Sequence, residues 1–204
     1  MGFPFKFGTA GIRARAGDGQ GELNLRSVRE IASAIADVLA AEVTEPGVHA
    51  VCVGFDGRRD SRAFAEQASR ALLARGLRVE AFTEPCPTPL LAFCVRERGA
   101  LAGLMVTASH NPPEDNGIKL YLAGGAQVAA PLDAAIEARI AAQPEPDAID
   151  PADLDQARAA GRLGALGPEQ ERSYVQALIR LVPSTSAALP RLAYSALCGV
   201  GSPV

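Results

Sequence analysis

The sequence predicts an α/β protein: a mostly parallel mixed sheet with helices on both faces, followed by the incomplete start of a second α/β domain. Three observations carry that prediction. Short apolar runs of strand length alternate with amphipathic runs of helical period along residues 1–142, the pattern of a parallel sheet covered by helices. Hydrophobic residues make up 48% of the 204, enough for a real core, so wholesale disorder is excluded. Aromatics are only 5% and Trp is absent, so that core must be built from Ala, Leu, Val and Ile.

Ser27-Val28-Arg29-Glu30 has the spacing of a capping box, with Ser27 as the cap. Beyond it Val28, Ile31, Ile35, Val38 and Leu39 recur at three- and four-residue steps, predicting an amphipathic helix of about four turns. Ala50–Phe55 is a short apolar run between turn signals, a buried strand. Asp60 or Ser61 caps a second helix, with Phe64, Ala68, Ala71 and Leu72 inward and Gly76 as its stop. Leu77–Phe82 is the next strand. Pro89 suits the first position of a third helix over Leu90–Arg98, closed by Gly99. Leu101–Val106 is a further buried strand, Ile118–Leu122 an extended segment and Pro131–Ala142 a helix. Right-handed crossovers then line the strand-to-helix loops along one edge of the sheet.

Residues 143–168 change character. Prolines and acids dominate QPEPDAIDPADLD, which predicts a linker with one helical turn at Ala152–Ala160. Glu169–Val182 is again helical and Arg191–Leu197 reads as a strand running into the glycine turn at Gly199–Gly201. Residues 169–204 are therefore expected to begin a second domain without completing it.

Three loops gather polar chemistry. Thr107-Ala108-Ser109-His110-Asn111-Pro112-Pro113 leaves a strand end, and its prolines hold it as a rigid exposed loop. Asn116-Gly117 is a strong turn signal that would return Lys119 to the same edge. Singly, these are ordinary solvated turn residues. Together they bring a hydroxyl, an imidazole, two amides and an ammonium into one place, where Ser109 could carry a phosphoryl group. Phe7-Gly8-Thr9-Ala10-Gly11-Ile12-Arg13 suits a backbone folded around an anion, with Arg13 gripping phosphate by two prongs; alone, it reads more readily as a flexible turn with a surface arginine. Gly54-Phe55-Asp56-Gly57-Arg58-Arg59-Asp60-Ser61 runs from a strand to a helix N-terminus. It is either an anion site, with Arg58 binding phosphate, or a turn in which Asp60 merely caps.

Several classes are excluded. Twenty Lys+Arg against 23 Asp+Glu leave a net charge of −3, with no basic excess to neutralise a nucleic-acid backbone. The richest apolar run, Ile31–Val43, is too short to span a membrane and is broken by Asp37 and Glu42. The N-terminus lacks the apolar stretch of a secretory signal, and Cys52, Cys86, Cys94 and Cys198 are scattered as inert thiols of a reducing cytoplasm. His49 is a turn residue, and Asp147, Asp150, Asp153 and Asp155 form a solvated acidic stretch rather than a metal cluster.

With FGTAGIR, GFDGRRDS, PCPTPL and MVTASHNPPEDNGIKLY in order, the sequence resembles the α-D-phosphohexomutase superfamily, closest to its type 2 phosphoglucomutase and phosphopentomutase branch. The resemblance runs from Phe5 to Ile140 and resumes in RLAYSALCGVG. It implies that Ser109 is a phosphoserine whose phosphate also ligates Mg²⁺. It implies that His110 and Lys119 line the same site, Lys119 for proton transfer or charge stabilisation. Arg13 and Thr9 would face the phosphoserine, and Asn111 would support its loop. The implied reaction moves phosphate between the two ends of a small-molecule sugar phosphate through a bisphosphorylated intermediate, which also serves as activator. The family's Asp-rich metal loop, sugar-selecting loop and phosphate clamp are not in this sequence, so glucose, mannose and pentose phosphates all fit, and no oligomeric state follows. Cys198 stands where the family has His. These 204 residues alone are therefore expected to lack turnover, as the opening part of a mutase. A non-enzymatic module binding a sugar phosphate or protein partner is the alternative, and a phosphatase using the same serine a third.

Overall fold

The computed structural model describes residues 5–7, 11–42, 49–142, 151–182 and 191–201. Its centre is strand β2 (Ala50–Phe55), flanked in parallel by β3 (Arg78–Phe82) and β4 (Ala102–Val106). All five residues of β4 and the last five of β2 are buried, as strands covered on both faces must be. Helix α2 (Ser61–Ala74) crosses from β2 to β3, and α3 (Thr88–Glu97) from β3 to β4. Strand β5 (Asp115–Leu122) then runs antiparallel to β4, and β1 (Ile12–Arg15) antiparallel to β5. With β6 (Leu163–Leu166) parallel to β3, the order is β1-β5-β4-β2-β3-β6. The predicted mixed α/β sheet is what the chain forms.

Alternation along the strands divides the core. Val51, Val53, Leu104 and Val106 face the cluster built by α1 (Leu25–Glu42), α2 and α4 (Leu132–Ala141), while Cys52 and Met105 face α3. Asp37, which interrupts the apolar run of α1, accepts hydrogen bonds from Arg75 (2.5 Å) and Arg139 (2.8 Å) and so ties α1 to α2 and α4. Burial pushes the Cys52, Cys86 and Cys94 thiols up to about 12, which keeps them protonated; Cys198 is exposed. Among the described residues, no helix is long and apolar enough to cross a membrane.

Several local expectations are corrected. Helix α1 begins earlier: the Ser27 N–H donates to Asn24 Oδ1 (3.0 Å) and the Asn24 N–H to Ser27 Oγ (2.9 Å), so Ser27 is the inner partner of a reciprocal cap. Asp60 precedes α2 but makes no side-chain cap. Asn116-Gly117 is no turn; both residues lie inside β5, opposite Ala14 and Arg13. The stretch expected to be a linker forms its expected helical turn as α5 (Leu154–Ala159), capped by Asp153, but it also supplies β6. Four residues, one of them Gly164, are too short a run to declare a strand by themselves; pairing with the free edge of β3 makes it one. Of the expected second domain, α6 (Pro168–Leu181) forms and rests on α3, Tyr174 meeting Phe93 edge-on at 5.4 Å. Arg191–Leu197 forms no strand: Leu192, Tyr194 and Leu197 are 84%, 76% and 90% exposed.

Candidate active site

Parallel β2 and β4 end side by side, and the first residue after each is polar: Asp56 and Thr107. The Asp56 N–H donates to the Val106 carbonyl at 3.0 Å, which carries the pairing one step past the strands. The Thr107 hydroxyl then donates to Asp56 Oδ2 at 2.7 Å while accepting the Ser109 N–H at 2.9 Å. Asp56 Oδ1 accepts from the Ser61 hydroxyl (2.6 Å) and the Arg58 N–H (3.1 Å). Asn116, buried in β5, donates to Ser61 Oγ at 3.0 Å. A run of side-chain bonds thus ends at the amide of Ser109.

Ser109 has a φ of 58°, the left-handed region, at a cost of about 1–2 kcal/mol for a residue with a Cβ. Its side chain stands exposed at the loop tip. Arg13 Nη2 donates to Ser109 Oγ at 3.1 Å, and Arg13 Nη1 to Asn111 Oδ1 at 2.9 Å. Asn111 Nδ2 in turn donates to Asp115 Oδ2 at 2.9 Å, so the amide has one orientation and the guanidinium one resting place. The β1–β5 register explains the meeting: Arg13 lies opposite Gly117, and Lys119 is two residues farther along the same face.

Burial, and secondarily the nearby Arg13 charge, lower the pKa of Lys119 from its ordinary value of 10.5. Because the folded state disfavours its charged form, wild-type stability rises with pH between the lowered value and 10.5, and the penalty is fully present below that window. Lys119→Met, which keeps the length of the side chain and removes the charge, is expected to raise the melting temperature at neutral pH. The gain over wild type should shrink as pH approaches 10.5, as thermal unfolding across pH will show; a lower melting temperature at neutral pH would mean that the ammonium is stabilised in place.

The structure thus brings together four of the residues expected from sequence: Arg13, Ser109, Asn111 and Lys119. His110 is exposed beside Ser109. Thr9 lies outside the described residues. Arg58 is corrected. Its Nη1 donates to the carbonyls of Pro112 (2.6 Å) and Asp115 (2.8 Å), its Nη2 to those of Ser109 (3.0 Å) and Asn111 (2.8 Å), and its Nε faces Asp56 Oδ2 at 3.2 Å. Four of the five N–H donors of the guanidinium are spent on loop carbonyls, and the fifth group faces the Asp56 carboxylate. Asp56, Thr107, Ser61 and Asp115 were missed as site residues. The signal for two of them was present: a polar residue directly after each of two apolar runs that become adjacent strands.

The Mg²⁺ implied by the resemblance does not fit a cage of described residues. Asp56 and Asp115 are already engaged, and no group of three or more His, Cys, Asp or Glu among the described residues could hold a metal ion.

Residues 4–147 match the family described as phosphoglucomutase/phosphomannomutase, alpha/beta/alpha domain I. A phosphoglucomutase from Staphylococcus haemolyticus is 32% identical over 198 residues, which is 97% of this chain and 35% of the relative. Phosphopentomutase from Homo sapiens is 34% identical over 152 residues, 72% of this chain and 25% of the relative. A crystal structure described as a phosphomannomutase from Thermus thermophilus superposes with a TM-score of 0.74 at 32% identity, over 90% of this chain and 37% of that one. The chain therefore spans between 25% and 35% of the length of these curated relatives. The matched segment contains both strands that carry Arg13 and Lys119 and the whole serine loop, and by it the chain belongs to the phosphoglucomutase/phosphomannomutase family, whose α/β/α domain I it carries.

Proposed function

We propose that this chain is the phosphoryl-carrying part of a phosphosugar mutase, an isomerase that works as an intramolecular phosphotransferase, and that Ser109 Oγ is the carrier atom. One observation supports this above the others. An exposed serine is held in a left-handed turn with a pre-oriented guanidinium on its oxygen, in a domain of this family. A phosphoryl group on that oxygen gains a charge-assisted hydrogen bond from Arg13, and Lys119 adds a second cation on the same face. In the transfer, the Oγ–P bond forms as the bond from phosphorus to the sugar oxygen breaks. The serine proton must end on the departing sugar oxygen, and Lys119, its pKa lowered by burial, can give an ammonium proton to that oxygen and take the serine proton in its place. Asn111 orients the arginine, and His110, exposed beside Ser109, is read as lining the same site.

The substrate class is a small sugar phosphate such as glucose 1-phosphate, with the bisphosphate as intermediate and activator. Neither nucleic acid nor membrane enters this reading, and free thiols suit a reducing cytoplasm. The functional unit is read as running through β6 rather than ending at residue 142. Since the chain spans a minor part of its relatives' length, the 204 residues alone are expected to leave glucose 1-phosphate unconverted in a coupled assay.

The decisive experiment exposes the chain to glucose 1,6-bisphosphate and maps phosphate by peptide mass spectrometry. One phosphoryl group on the peptide carrying Ser109, absent in Ser109→Ala, is the expected result. Phosphate on another residue, or none at all, would overturn the carrier assignment and leave a binding module as the better reading.

A further inference from the structure

The serine loop is built around Arg58 rather than around a ligand. Four loop carbonyls, those of Ser109, Asn111, Pro112 and Asp115, converge on its two terminal nitrogens, and each nitrogen takes two of them. The guanidinium is a planar fork, so this arrangement fixes the loop in orientation as well as distance. Asp56 holds the fork from the other side through Arg58 Nε. The two side chains are only 13% and 15% exposed, and the charge of each is matched by the other.

Asp56 acts a second time through Thr107. Its carboxylate can only accept, so the Thr107 hydroxyl hydrogen must point at Asp56, and a lone pair is left for the Ser109 N–H. The left-handed residue is therefore held at both its polar ends, its amide by Thr107 and its carbonyl by Arg58. A strained conformation persists when the surroundings over-determine it, and here they do.

We propose that Arg58 and Asp56 are a positioning pair for the phosphoryl acceptor: they hold Ser109 in the turn that presents Oγ to Arg13, and neither touches the sugar phosphate. This rests on the reading of Ser109 as the carrier. It differs from a phosphate-binding role for Arg58 in a measurable way. A positioning residue sets the maximal rate at which Ser109 is phosphorylated; a phosphate ligand would set the bisphosphate concentration at half that rate.

The test uses the 204-residue chain in four forms: wild type, Arg58→Lys, Asp56→Asn and Ser109→Ala. Two quantities are read: phosphorylation of Ser109 against glucose 1,6-bisphosphate concentration, and hydrogen exchange of the segment 107–115 by mass spectrometry, with thermal unfolding as a check on folding. Lysine keeps the charge without the fork. The amide introduced by Asp56→Asn can donate to Thr107 and so turn its hydroxyl against the Ser109 amide. Both variants are expected to exchange faster across 107–115 and to lose about a hundredfold in maximal rate, with the half-saturating concentration unchanged, as a displacement near 1 Å of a reacting group would produce. Ser109→Ala should leave exchange in 109–115 slow.

A raised half-saturating concentration at an unchanged maximal rate in Arg58→Lys would overturn the proposal in favour of phosphate binding. Unchanged exchange and unchanged rate would overturn it outright. If wild type takes no phosphate on Ser109, the carrier reading falls and the pair loses its role in transfer. Slow exchange in wild type and fast exchange in the variants would then still show the pair holding the loop, so the two failures are distinguishable.

Discussion

Arg13→Ala is expected to slow phosphoryl transfer onto Ser109 by about 10²–10³-fold, the loss seen when one preorganised donor is removed from a developing charge. The arginine reaches Ser109 Oγ with one nitrogen while Asn111, itself held by Asp115, fixes the other. No reorganisation is then needed when charge builds on the transferring group, which is the condition for a large electrostatic effect. Arg13→Lys restores the charge without the fork and should recover part of the rate. The variant has a second signature. Burial is the larger cause of the lowered Lys119 pKa and the Arg13 charge the smaller, so Arg13→Ala should raise the Lys119 midpoint and still leave it below 10.5. Titration of the Lys119 ε-methylene resonance reads this directly. An unchanged transfer rate with an unchanged midpoint would remove Arg13 from the site.

Gly117→Ala should be strongly destabilising. Gly117 is buried in β5 opposite Arg13, and a Cβ there would lie 2.7 Å from the Thr107 carbonyl oxygen and against that of Ile12. Both are backbone atoms of neighbouring segments, and Thr107 is tied to Gly117 itself by a 2.9 Å hydrogen bond, so neither can yield cheaply. Overpacking of this kind costs about 3 kcal/mol, which for a chain of this size lowers the melting temperature by about 6–12 °C. The displaced carbonyl belongs to the residue that holds the Ser109 amide, so phosphate uptake should fall along with stability. Gly124→Ala separates the causes: its φ of +87° strains any side chain, but nothing lies within 4 Å of the added carbon, so only about 1 kcal/mol is expected. If Gly117→Ala melts no lower than Gly124→Ala, the close approach of the three segments is not what stabilises this edge.

Both variants also show where sequence reasoning reached its limit. The strands Ala50–Phe55 and Arg78–Phe82 follow from short apolar runs between turn signals, and the helix around Phe64, Ala68 and Leu72 from spacing, because burial on a helix face repeats every three to four residues. Ser109, Lys119 and Arg13 were singled out because polar residue types cluster in short segments beside apolar runs. Asn116-Gly117 misled for a reason of the same kind. The pair is a turn signal by intrinsic preference, yet two carbonyls approach Gly117 from segments far away in sequence, and that crowding, not a turn, requires the glycine. The partners of Arg58 could not be read from sequence, because an arginine at a helix N-terminus suits phosphate by local rules, and only the folded chain shows it donating to four loop carbonyls.

By itself the sequence determined the class of fold, the succession of its central strands and helices, and the polar loops that hold the chemistry. These are written in contacts between near neighbours, where periodicity and capping leave a visible pattern. Strand order, the capture of β6 at the sheet edge and the division of labour between Arg13 and Arg58 were decided only by tertiary structure. Arg13 meets Ser109 across 96 residues, and Arg58 meets the loop carbonyls across 51–57. Which of two arginines receives the free hydroxyl and which the carbonyls depends on which strands become neighbours, and the packing of the whole sheet decides that.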